Sequence, residues 1–170
     1  MIPLLFVLLP DTLLLDLAGP AETFRLANRH LLSRKRPATF ELRFVGALPE
    51  QTSSVGLALK DIEPLPTPLP PKCWLVLLGQ TSEGLKASLS GRNPAWLSTR
   101  NWLKRQRPDL MHEDAQHKLI TVCSGAVLAA DAGLLANCRC TTHHELLDHL
   151  QTLAPPASAR RACSRRINST

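Results

Sequence analysis

The chain has 170 residues, 44% of them hydrophobic, which suits one domain with a sizeable core and excludes wholesale disorder. Its formal charge is +6, but Arg160, Arg161, Arg165 and Arg166 fall in the last eleven residues; without them 16 basic face 14 acidic residues. That balance argues against a nucleic-acid-binding face spread over the body of the protein. Five cysteines (Cys73, Cys123, Cys138, Cys140, Cys163) form an odd, irregularly spaced set, unlike a disulfide framework, and fit a reducing cytoplasm.

In chain order, Ile2–Leu9 is a continuous apolar run and predicts a strand buried on both faces. It does not read as a secretion signal: there is no basic leader or small-residue cleavage site, and Asp11 and Asp16 interrupt it. Leu13–Leu32 predicts a helix that Gly19-Pro20 should bend or restart. Phe40–Val45 alternates and predicts a second strand, and Val55–Leu59 a short strand or hairpin arm. Pro64–Pro71, with five prolines in eight residues, is a stiff connection and neither helix nor central strand. Trp74–Leu78 is another buried strand, closing at Gly79-Gln80.

Residues 81–93 are polar and read as a surface loop, and Ala95–Arg107 as an amphipathic helix carrying Trp96 and Trp102 as packing residues. His112, Glu113, Asp114 and His117 read as a solvated loop. Leu119–Val122 is a strand, Ser124–Ala132 a helix, and Gly133 its C-cap. A short Cys138–Thr141 strand leads into a last helix, His144–Leu153, closed by Pro155-Pro156. No segment reaches the roughly 18 to 20 apolar residues of a membrane span. Strands alternating with helices predict an α/β fold, a doubly wound parallel sheet with ligands at the carboxyl ends of its strands.

The chemistry concentrates at Val122-Cys123-Ser124-Gly125. A strand ending in cysteine, a glycine turn and an Ala/Leu-rich helix have the layout of a nucleophile elbow, with a thiol over a helix N-terminus. A buried core cysteine would give the same pattern, because free Cys often packs as a small hydrophobe. Cys138-Arg139-Cys140 with His143 and His144 offers a weak zinc motif; closed zinc sites usually use a wider knuckle, so no metal or other cofactor is expected.

Three segments together resemble the ThiJ/PfpI (class I glutamine amidotransferase-like) superfamily: Leu15-Asp16-Leu17-Ala18-Gly19-Pro20 with Phe24, Val122-Cys123-Ser124-Gly125, and Ala132-Gly133-Leu134-Leu135 followed by Thr141-Thr142-His143. Within it the chain is most similar to the N-terminal domain of AraC-type regulators; isocyanide hydratases share much of the pattern. The resemblance implies a three-layer α/β/α sandwich with a mostly parallel, flavodoxin-like sheet over residues 1–156, truncated at its C-terminal end, and a basic disordered tail at 157–170. It implies a cytoplasmic, homodimeric, small-molecule-sensing domain that does not itself bind DNA or membrane, here without the helix-turn-helix of the regulators. The alternative it carries is a cysteine-dependent hydratase or hydrolase.

The resemblance places Cys123 as the reactive thiol, Asp16 as the carboxylic acid facing it and His143 as a histidine beside it. Gly79, Gln80, Ser124 and Gly125 would bind ligand, their backbone amides acting as an oxyanion hole. Asp16 could equally cap a helix start, and His143 could be a surface histidine. Ser124 stands where peptidase-like members carry histidine, which disfavours a Cys-His-acid triad.

Overall fold

The computed structural model describes residues 1–112, 116–136, 138 and 140–154. The tail at 157–170, the Pro155-Pro156 stop and the Glu113-Asp114 pair lie outside the described residues.

Among the described residues, seven strands and five α-helices run in the order β1 (Ile2–Leu8), α1 (Leu14–Ser33), β2 (Phe40–Gly46), β3 (Gln51–Thr52), β4 (Ala58–Leu59), β5 (Glu63–Pro64), β6 (Trp74–Leu77), α2 (Ser82–Leu89), α3 (Pro94–Met111), β7 (Lys118–Thr121), α4 (Gly125–Asp131) and α5 (Leu147–Leu153). The main sheet is parallel throughout, in the order β5-β2-β1-β6-β7, and β3 and β4 form a small antiparallel hairpin.

Strand β1 is central and its side chains alternate between two cores. Leu5, Val7 and Leu9 join Leu75 and Leu77 of β6 beneath α2, α3, α4 and α5. Leu4, Phe6 and Leu8 join Val76, Leu17 and the half-buried Phe24 beneath α1. A strand buried on both faces needs apolar residues at every position, which is why β1 reads as an unbroken run. The result is a flavodoxin-like three-layer α/β/α sandwich.

Three local expectations are corrected. Helix α1 runs through Gly19-Pro20 without a restart. Proline removes one amide, and tertiary packing of Leu17, Ala21 and Phe24 on the sheet holds the turns either side. Residues 81–93 are not simply a loop, since they contain α2. Thr81 caps it by accepting the Gly84 amide at 3.0 Å, and Gly84, Leu85 and Ser88 form its buried side. Cys138 and residues 140–143 are not strand; both cysteines pack in the larger core.

Helix α3 continues past Arg107 through Pro108 to Met111. Trp96 and Trp102 are packing residues as expected, and each indole N–H finds a partner: Asp131 Oδ2 at 2.9 Å and the Pro66 carbonyl at 2.8 Å. Helix α4 ends as read, with Gly133 at φ +74°. The Gly133 amide reaches the Ala130 carbonyl and the Leu134 amide the Ala129 carbonyl, a Schellman closure. None of the described helices is long and apolar enough to cross a membrane.

Candidate functional site

The site forms where the exits of β1, β6 and β7 meet. Cys123 lies in the turn between β7 and α4 at φ +51°, the left-handed region that a side chain enters only at a cost of about 1–3 kcal/mol. The turn is so tight because α4 must start directly against β6. An ideal Cβ on Gly125 would stand 2.7 Å from the Leu77 carbonyl carbon and 3.2 Å from the Leu78 nitrogen. Glycine alone admits that approach.

Gly79 does the same for the reactive groups. A Cβ there would lie 2.6 Å from Asp16 Oδ2, 3.0 Å from Cys123 Cβ and 3.2 Å from Leu13 Cδ1. The structure therefore brings Asp16, Gly79 and Cys123, distant in sequence, into van der Waals reach of one point. Asp16 Oδ2 is sealed from solvent and has no hydrogen-bond partner. Burial pushes the Asp16 carboxyl above its ordinary range, against the opposing pull of the Gly79 amide. The Cys123 thiol is pushed up by burial, pulled back by the Ser124 amide and raised further by the Asp16 charge. This thiol is partly accessible but held toward its neutral form.

Gly79→Ala should force Asp16 and Cys123 apart. Its expected signature is a loss of about 1–3 kcal/mol in urea unfolding together with a changed alkylation rate at Cys123.

Ser124 and Gln80 are committed to holding the frame. The Gln80 amide donates to Ser124 Oγ at 2.9 Å, so it is not an open donor toward the thiol. Gln80 Nε2 donates to the Pro10 carbonyl at 2.7 Å, and Gln80 Oε1 accepts from Ser88 Oγ at 3.0 Å. Asn93 extends the chain by donating to Ser88 at 3.0 Å. This buried polar ladder ties β1, β6, α2 and α4 together, and each group in it is satisfied.

A cleft of about 360 Å³ opens over Cys123 and Ser124. Leu13, Leu85, Leu89 and Leu146 give it a largely apolar wall; Thr81, Lys86, His143 and Glu145 supply polar groups. Thr142 Oγ1 donates to the Cys123 carbonyl at 3.0 Å, which brings the following His143 to the cleft. His143 is half exposed, with Nδ1 3.7 Å from Glu145 Oε2 and its ring 4.3 Å from that of His144. Asp16 is not on the cleft wall; it lies behind the thiol. Sequence reasoning missed the α2 side of the cleft because it read 81–93 as loop. A threonine just ahead of Ser82-Glu83 was the available signal of a helix cap.

Among the described residues no group of three or more His, Cys, Asp or Glu side chains stands together to hold a metal. The arrangement offers a small apolar-walled cleft ending on a partly accessible thiol, with the half-buried Asp16 carboxyl converging on it at Gly79.

Solved structures of proteins named as ThiJ/PfpI, AraC-family and DJ-1 share this parallel α/β sandwich fold. A ThiJ/PfpI family protein from Pseudomonas syringae matches with a TM-score of 0.65 at 23% identity, covering 93% of this chain and 57% of the other. An AraC family transcriptional regulator from Pseudomonas putida gives 0.64 at 20%, covering 91% and 74%. DJ-1 from Schizosaccharomyces pombe gives 0.57 at 15%, covering 91% and 74%. The chain thus spans little more than half the length of the first of these proteins and about three quarters of the other two. No family model matches the sequence, and neither does any curated protein.

Proposed function

We propose that this chain is the small-molecule-sensing domain of an AraC-type regulator, residues 1–156 forming a ThiJ/PfpI-like unit that pairs as a homodimer in the cytoplasm. The cleft carries the reading: it ends on a thiol that burial pushes toward its neutral form, while the half-buried Asp16 carboxyl stands off the cleft wall with Oδ2 unpartnered. Apolar walls with a few polar groups suit reversible capture of a small amphipathic molecule. A nucleophilic enzyme would instead want its thiol pKa lowered and a base within reach of bound substrate. The likeness to the Pseudomonas putida regulator supports the same class.

The competing reading is a hydratase in which Cys123 attacks a small carbon electrophile and Asp16 relays the proton. It rests on the convergence of Asp16 and Cys123 at Gly79. The two separate on turnover of an aryl isocyanide to its formamide. The sensor reading expects none above the rate of a Cys123→Ala control. Cys123-dependent turnover would replace it with the enzyme.

Selectivity of labelling tests the elbow. With limiting iodoacetamide at pH 8.5, Cys123 should be alkylated ahead of Cys73, whose thiol is fully buried and pushed up to about 11. Mass spectrometry showing Cys73 or Cys138 modified first would remove Cys123 from the accessible site.

A further inference from the structure

Charge is segregated along the strand direction of the sheet. The chain leaves α1 and enters β2 at the amino edge, where Asn28 ties the helix to Phe40 by accepting its amide at 3.0 Å. Arg29, Arg34, Lys35 and Arg36 project there, all exposed. Lys72, exposed, precedes β6 at the same edge, and Lys118 opens β7 with its ammonium 4.4 Å from the Trp74 ring centroid. On the opposite layer α3 descends to the start of β7, carrying Lys104, Arg105 and Arg107 in its last turns.

These are nine of the fifteen lysines and arginines among the described residues. Only Glu41 and Asp109, of the twelve described acidic residues, share this end. Acids gather instead around the cleft at the carboxyl edge, among them Asp11, Asp16, Glu83 and Glu145. The near-neutral balance of the body conceals a strong dipole. A shallow cleft of about 420 Å³ also opens at the basic end, lined by Lys104, Arg107, Pro108, Met111 and His112.

We infer that this amino-edge pole is a docking surface for the phosphate backbone of a nucleic-acid duplex, bound without reading its sequence. The cations come from all three layers, so they spread over roughly two inter-layer spacings of about 10 Å each. That width reaches phosphates on both walls of a major groove about 12 Å across. Five of the nine are arginines, whose planar fork fits phosphate oxygens. Among the described residues no helix projects from this end to enter a groove; the cations sit on turns and on the last turns of helices, as backbone contacts do. A lipid surface fits less well, because the large exposed apolar side chains at this pole are few, Met1 and Leu32.

The test is fluorescence anisotropy of a labelled 20-base-pair duplex of arbitrary sequence with the full chain. With about four phosphates contacted, affinity should fall about a hundredfold between 50 and 200 mM salt. The Arg34→Glu/Lys35→Glu/Arg36→Glu variant should bind at least tenfold more weakly with an unchanged circular-dichroism melt. Neutralising Arg160, Arg161, Arg165 and Arg166 to Gln should leave most of the binding. Absence of binding at low salt, loss caused only by the terminal substitutions, or binding to vesicles containing phosphatidylserine but not to the duplex would each overturn the assignment.

Discussion

Gly125→Ala should cost on the order of 3 kcal/mol and lower the melting temperature by about 10 °C. The added methyl would fall on the Leu77 carbonyl, a backbone group in the middle of the sheet that cannot swing aside. Relief requires moving α4 away from β6, yet Ala126, Val127, Leu128, Ala129 and Ala130 are all buried in the larger core. The same displacement would pull Ser124 Oγ from the Gln80 amide and open the turn around Cys123. Differential scanning calorimetry checks the stability, and the change in Cys123 alkylation rate reports on the turn. A variant melting within about 2 °C of the wild type would mean that α4 does not sit on the Leu77 backbone as described.

Asp16→Asn should do the reverse at neutral pH, raising stability by about 1 kcal/mol and the melting temperature by about 3 °C. The charged carboxylate holds one oxygen sealed and unpartnered, a cost that the amide reduces. The sign of the pH dependence follows from the raised carboxyl pKa. The folded state binds the Asp16 proton more tightly than the unfolded state. Its contribution is fully present below the ordinary aspartate value of about 3.9 and is lost as pH rises through the folded-state value. The advantage of the variant should therefore grow from acid toward neutral pH and shrink on acidification toward pH 4. A constant difference across that range, or a destabilised variant at pH 7, would contradict the description of Asp16 as a carboxyl held against its charge. Stability gained by removing such a group is the expected trade-off at a binding or reactive site.

Much of the scaffold was legible because the interior strands β1 and β6 are largely buried, and burial on both faces leaves unbroken apolar runs in the sequence. Gly133 was legible as a helix end because its left-handed backbone excludes most other residues. Helix α2 was not: eight residues with only Leu85 and Leu89 as large apolar side chains show too little periodicity, and the helix depends on its Thr81 cap and on the core beneath it. The passage of α1 through Pro20 was hidden for a related reason, since local propensity favours a break that packing against the sheet overrides. Among the site residues, the strand-to-helix layout brought forward Cys123 and Gly125, the strand end Gly79, and the family resemblance Asp16. It could not show that the Gln80 amide is spent on Ser124, because that bond joins residues 44 apart in sequence. Nor could composition reveal the charge dipole. A net charge carries no direction; the topology sorts the cations to the amino ends of the strands.

Burial and the Asp16 charge beside it push the Cys123 thiol toward its neutral form. The pH dependence of iodoacetamide alkylation at Cys123, followed by mass spectrometry site by site, tests it most directly. The wild-type rate should rise through an apparent pKa above the ordinary cysteine value of about 8.5, and that pKa should fall in Asp16→Asn. An apparent pKa near 7 or below in the wild type would show an activated thiol, and one unmoved by the substitution would show a thiol independent of Asp16; either would overturn this description of Cys123.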